Sequence, residues 1–267
     1  MSSIFQIFKE QLLNINLICR LAFYDIKGKY LLHYLGVLWQ FLNPAVQILI
    51  YWLVFGLGIR GGEPIGDVPF FVWLVCGLIP WFFINPSITQ GANSVYSRLS
   101  LVSKMKFPVS ILPAVTIVSN SFTFIIMLIV LLFILIMNGI YPSIYYVQII
   151  YYLFCLYIFL YSFSLLFSTF STIVRDIHSL LQTMMKMLFY LTPILWDTGR
   201  LPEYAQNILK LNPIYYLIEG FRNTFLFKTW FFEDLAYTFY FWSFTLFILF
   251  FGATIHLKFR KRFVDYL

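Results

Sequence analysis

Gly36, Gln40, Asn43, Gln47 and Tyr51 recur at spacings of four, three, four and four in the stretch YLGVLWQFLNPAVQILIYW. On a helix that spacing puts all five on one face. Pro44 lies among them, and because it lacks an amide proton it frees the carbonyl of Gln40 from the helix ladder. Three carboxamides and a freed carbonyl break no bonds. They exchange hydrogen bonds with a polar molecule moving past. Such a stripe does not look at lipid but at protein or a wet cavity. A second set repeats the idea: Ser179, Gln182, Thr183, Lys186 and Tyr190 share a helix face. Lys186 is a cation inside an apolar run, which costs about 2.5–3.5 kcal/mol at the centre of a bilayer. It either snorkels to the membrane edge or faces a conduit for an anionic substrate. Trp39, Gln40, Asn43, Gln47, Arg175, Lys186 and Tyr190 are the expected lining of a substrate path.

No other constellation points to catalysis. Cys19, Cys76 and Cys155 show no paired spacing, and His33, His178 and His256 stand apart, so neither a disulfide framework nor a metal site is expected. No Ser-His-Asp arrangement is evident. An ion-coupled secondary transporter should show paired intramembrane carboxylates or an inverted repeat, and a membrane-embedded transferase should cluster His and carboxylates near one interface; neither pattern is present. There is no G-x-x-x-x-G-K-[ST] loop, so any ATP-driven process needs its ATPase on another polypeptide. The chain reads as non-catalytic, without a cofactor of its own.

These residues must be positioned by membrane helices. Hydrophobic residues make up 61% of the 267 and charged ones only 11%, against about 45–50% and about 25% in soluble domains. Six spans are expected, at 37–58, 68–88, 109–138, 145–173, 177–196 and 235–257. No charge falls between Lys106 and Arg175, an interval too long for one crossing; Asn138, Gly139 and Pro142 break it into a hairpin. The segments 1–36, 89–108, 174–176 and 258–267 hold most of the Lys and Arg residues, which places both termini in the cytoplasm of a cell. The net charge of +7 follows from that topology and needs no nucleic acid; anionic membrane lipids are its partner.

The chain therefore divides into a cytoplasmic N-terminus with an interface helix (1–36), a six-span transmembrane domain (37–257) and a basic cytoplasmic tail (258–267). Lys9 and Glu10 interrupt the first apolar patch, so this end is expected to persist in the mature protein. Within residues 4–30, Phe5, Phe8, Leu12, Ile15, Cys19, Ala22 and Ile26 make one helix face, opposite Lys9, Asn16, Arg20 and Lys27. That suits a helix lying in the membrane interface; the plainer alternative is a helix packed on the spans. The loop VYSRLSLVSKMKFP mixes Arg98, Lys104 and Lys106 with Leu99, Leu101, Val102 and Met105. It either docks into a partner's groove or merely carries topogenic charge. Ser164, Ser168, Ser171 and Thr172 fit close helix packing. The segment from Asp197 to Asp234 holds two short helices, divided at Pro213 and too apolar for a free loop, that dip back into the membrane surface.

Several stretches carry a family resemblance: KGKYLLHYLGVLWQFLNP, VSKMKFPVSILP, LNPIYYLIEGFRNTFL, WFFEDLAYTFYFW and KFRKRFVDYL. With them the chain resembles the permease subunits of bacterial ABC exporters for polysaccharides, and among these the wall teichoic acid translocation permeases (the TagG/TarG group). YLGVLWQFLNP is shared with O-antigen and capsule exporters, whereas VSKMKFP and the C-terminal block are closer to the teichoic acid group. The resemblance implies an all-α polytopic protein with six transmembrane helices, an N-terminal amphipathic interface helix and two short external re-entrant gate helices. It further implies a homodimer in the cell membrane, two copies of an ABC ATPase that binds ATP and Mg, and a polymer on a polyprenyl diphosphate carrier. By the same resemblance Arg98, Leu99, Lys104 and Lys106 lie in the coupling segment, Leu35, Gly36 and Pro44 form a hinge, and Asn212, Pro213 and Arg222 belong to the external gate.

Overall fold

A computed structural model of the chain describes residues 2–30, 34, 36–99, 108–260 and 263. Leu35, Lys104 and Lys106, expected in the hinge and the coupling segment, lie outside the described residues. Ten α-helices are described. Two form the N-terminal arm, α1 (Ser2–Leu13) and α2 (Ile15–Tyr30). The first span is α3 (Trp39–Tyr51), continued by a π-helix (Trp52–Ile59). Then follow α4 (Phe70–Ala92), α5 (Leu112–Met137), α6 (Ile149–Ile173), α7 (Asp176–Leu191), α8 (Glu203–Lys210), α9 (Pro213–Arg222) and α10 (Leu235–Phe259).

The centre of the fold is α4. From Phe70 to Ile84 it is apolar on every side, and such helices become buried cores. In its most hydrophobic window 78% of residues are buried, compared with 6% for the span that starts at Trp39. Helices α5, α6, α7 and α9 surround α4, and α10 lies against α6. The α6 hydroxyls act in packing, as expected. Ser162, Thr169 and Thr172 donate back to the carbonyls of Ile158, Leu165 and Ser168, and Ser164 donates to Ser87 O on α4 at 3.1 Å. Gly91 on α4 makes that approach possible, because a Cβ there would stand 2.3 Å from Ser164 Oγ.

Among the described residues five helices are long and apolar enough to cross a membrane, so the expected count of six is not confirmed. The expected span 177–196 is α7, which has 16 residues and a length of about 24 Å, short of the ~30 Å hydrocarbon core. Its end has a local cause. Thr192 precedes Pro193, so the α conformation is disfavoured there, and Thr192 turns extended at φ −75° and ψ 133°. The segment from Asp197 to Asp234 divides into two short helices at Pro213, as expected, but the two differ in burial. No residue of α8 is buried, whereas α9 is buried at every position except Glu219 and lies against α4 and α10.

The N-terminal arm breaks at Asn14, whose side chain donates to Glu10 O at 2.8 Å. Of the expected stripe only Ala22 is buried on the protein-facing side. Ile7 packs with Leu165 and Ala253, and Ile18 and Ala22 pack with Ile111 and Val115. Phe5, Phe8, Leu12 and Ile15 of the expected stripe are exposed. The arm thus combines both expectations, with one face on the spans and an apolar face turned outward.

Candidate functional site

The carboxamides of α3 turn toward α4. Trp39, Gln40, Asn43, Pro44 and Gln47 form one wall of a cleft of about 490 Å³. The opposite wall is Phe82, Asn85, Pro86 and Gln90 of α4, with Thr123 and Met127 of α5. A second cleft of about 210 Å³ adjoins it and adds Tyr51, Trp81, Met185, Lys186, Phe189 and Tyr190. Both clefts include Gln47, Phe82 and Asn85, so they are neighbouring stretches of one groove. On α4 the lining runs from Trp81 to Gln90, about 14 Å of helix.

The local sequence explains the polar lining. Pro44 and Pro86 each leave a carbonyl without its helical donor, that of Gln40 on α3 and that of Phe82 on α4. Gln40 is buried, and its Oε1 has no hydrogen-bond partner among the described residues. Farther along, aromatic rings form the wall: Phe189 lies 5.2 Å from Tyr51 and 5.4 Å from Trp81 between ring centroids. Lys186 is exposed at the groove and forms no ion pair with a described carboxylate. Amides, rings and one cation can hold a polar chain loosely at many points.

Six of the seven residues expected on a path thus meet in the groove: Trp39, Gln40, Asn43, Gln47, Lys186 and Tyr190. Arg175 lines neither cleft; its guanidinium sits 3.6 Å from the centre of the Tyr96 ring. Sequence reasoning missed Asn85, Gln90 and Thr123. A signal was available, since Asn85 and Gln90 are amides inside an apolar span.

Arg222 is fully buried. It donates to Pro193 O at 2.7 Å, Ile194 O at 3.1 Å and Glu219 Oε1 at 2.8 Å. Its guanidinium lies 3.4 Å from the centre of the Trp73 ring. Gly77 leaves the room, because a Cβ there would come within 2.6 Å of Arg222 Nη2. Arg222 therefore pins α9 to α4 and to the turn after α7, and it is closed to a substrate. Asn212 caps α9 by accepting from Ile214 N at 3.0 Å, and it donates to Thr192 Oγ1 at 2.7 Å. Pro213 occupies the first turn, where its missing amide costs nothing.

At the other end of α4, Arg98 pairs with Asp25 of α2, a partner the sequence did not reveal. Leu99 is buried with Val95, Val109, Leu112 and Phe263. Gly36 has a positive φ of 47°, a conformation that favours glycine, at the entry to α3. Glu10 of α1 binds Arg260 at 2.7 Å and accepts from Ser110. Burial pushes the Glu10 carboxyl up, but hydrogen bonds from Ser110 and Arg260 and the Arg260 charge outweigh it and hold it below the usual carboxylate range.

Residues 18–226 match the ABC-2 type transporter family. The chain is 29% identical over 252 residues to an O-antigen export system permease protein RfbA of Klebsiella pneumoniae, covering 91% of this chain and 92% of the relative. It is 27% identical over 203 residues to the protein of that name from Myxococcus xanthus, covering 75% and 76%. The family match runs from α2 through α9, and so takes in the groove, the Arg222 pin and the Asp25–Arg98 pair. On that match the chain belongs to the ABC-2 type transporter family, as the membrane permease of an exporter.

Proposed function

We propose that this permease moves a lipid-linked polysaccharide from the cytoplasmic to the outer face of the cell membrane, driven by a separate ABC ATPase. The observation that carries this reading is the groove between α3, α4 and α7, in which amides, aromatic rings and Lys186 share one surface. Sugar hydroxyls exchange hydrogen bonds with amides, and apolar sugar faces slide over rings without tight capture. The permease works as a homodimer with two ATPase copies, both termini in the cytoplasm, and the segment around Arg98 and Leu99 meets the ATPase. The α3 span, buried at only 6% of its window, leaves the groove open to a second copy.

The named relatives are O-antigen permeases, which favours an O-antigen-type glycan as cargo. This departs from the teichoic acid expected from VSKMKFP and the C-terminal block. Teichoic acid remains the second reading, favoured by Lys186, a cation at the groove suited to a phosphate in each repeat. Depletion of the protein, followed by analysis of the lipid-linked polymer that accumulates inside the cell, tests both. A glycan without backbone phosphate supports the first reading and a polyol phosphate the second. Absence of any trapped polymer refutes both. Asn85→Leu and Gln47→Leu are expected to slow export at normal expression.

A further inference from the structure

A cleft of about 180 Å³ lies between the starts of α6 and α10 and the helices α8 and α9, and it shares no residue with the groove. It sits at the Asp234 end of α10, whereas Arg260, which pairs with Glu10, marks the other end of that helix. Lys210 of α8, Glu219 and Asn223 at the end of α9 and Asp234 at the start of α10 form its polar wall, with Trp230 and Tyr237 among its rings. Three observations bear on what would fill it. First, charges of both signs face it. Lys210 and Asp234 are exposed, and Lys210 forms no ion pair with a described carboxylate, although two line the same cleft. Glu219 commits Oε1 to Arg222 and Asp234 commits Oδ1 to Tyr237 N, which leaves each a second oxygen. Second, Lys210 is loosely held. Its Nζ lies 5.9 Å from the centre of the Tyr237 ring, a contact worth about 0.5–1 kcal/mol at an exposed site, so the side chain is free to turn to an anion. Third, the rim is apolar. Phe232, Leu235 and Phe239, at the start of this membrane span, are 50%, 61% and 75% exposed.

We propose that this cleft binds the head group of a zwitterionic phospholipid with a primary amine, of the phosphatidylethanolamine class. Lys210 donates to the phosphate, and the ammonium donates to the carboxylates of Glu219 and Asp234 beside the rings. The acyl chains pass over the apolar rim into the bilayer. The lipid then bridges α8 to α10 and fastens α8, which has no buried residue of its own. A phosphate lacking the amine would set an anion against two carboxylates. A neutral sugar would answer neither the charge of Lys210 nor the apolar rim. At ~30 Å³ each the cleft has room for about six waters, the scale of a head group and not of a polymer.

The test uses the complete exporter, purified in detergent and stripped of lipid. It is titrated with dioleoyl phosphatidylethanolamine, phosphatidylglycerol or phosphatidylcholine, and bound lipid is counted by native mass spectrometry. The ethanolamine lipid is expected to bind most tightly, at one molecule per permease chain. Lys210→Met should weaken it about tenfold, the loss of one charge-assisted hydrogen bond. Asp234→Asn should weaken it similarly while keeping the cap on α10, because Asn also caps helices. If Lys210→Met does not assemble, Lys210→Gln takes its place. In nanodiscs, the ethanolamine lipid should slow hydrogen exchange in α8, and phosphatidylglycerol alone should not. Equal affinity for phosphatidylglycerol marks a plain anion site and overturns the proposal. Binding that survives both substitutions, or α8 exchange that ignores the lipid, places the lipid elsewhere and overturns it too. Displacement of the lipid by excess methyl glucoside marks a sugar site, with the same consequence.

Discussion

Replacing Arg222 by methionine removes a cation with three hydrogen bonds: two, to Pro193 O and Ile194 O, join α9 to the turn after α7, and the third, to Glu219, lies within α9. It also strips two buried carbonyls of their donors and removes the guanidinium from the Trp73 ring. Breaking a buried charge pair from one side costs about 3–5 kcal/mol. Glu219 is 26% exposed and can recover water, which favours the lower half of that range. At about 2–4 °C per kcal/mol for a chain near this size, the unfolding midpoint should fall by roughly 6–16 °C. Thermal unfolding of the detergent-purified chain, followed by size-exclusion chromatography with fluorescence detection, measures this. Gly77→Ala supplies the control. Alone it sets a Cβ 2.6 Å from Arg222 Nη2, and because that end is pinned the guanidinium must give up hydrogen bonds. With methionine at 222 the clash disappears, and Ala gains up to about 1 kcal/mol of helix propensity over Gly. The two substitutions should therefore be strongly non-additive, by roughly 2 kcal/mol. A midpoint within 2 °C of the parent for Arg222→Met, or simple additivity, would refute the pin.

Three further outcomes are expected. Because the Glu10 carboxyl is held below its ordinary value near 4.5, its contribution to docking α1 is fully present above that pH and is lost as the pH falls through the lowered value. Hydrogen exchange of α1 should show this acid step, and Glu10→Gln should abolish it. Of the three cysteines, Cys19 is exposed while Cys76 and Cys155 are buried, so a maleimide should modify one thiol per folded chain and three after denaturation. Lys186→Leu should slow export of a phosphate-bearing polymer more than that of a neutral one; equal rates on both would remove Lys186 from cargo handling.

Much of the fold was legible because lipid imposes a simple rule: backbone polar groups must pair within a helix, and the helix must be apolar and about 20 residues long. The long charge-free interval and its break at Asn138–Gly139 became α5 and α6. The amide spacing in YLGVLWQFLNPAVQ already put Gln40, Asn43 and Gln47 on one face. The span count was less legible. Hydropathy continues past Leu191, but Pro193 turns the chain, and Arg222 takes up the carbonyls that follow.

By itself, the sequence determined which segments are apolar enough for the membrane and which polar residues share a helix face, because both depend on local order and on the helical repeat. Only the tertiary structure decided what each face meets. It set the α3 amides against Asn85 and Gln90 of α4, which lie some forty positions away in the chain. It turned Ile7, Ile18 and Ala22 of the arm inward and left Phe5 and Phe8 outside. It withdrew Arg222 from the surface and gave Arg98 to Asp25. A charge takes its role from the partner that packing brings within hydrogen-bond distance, and that partner can sit anywhere along the chain.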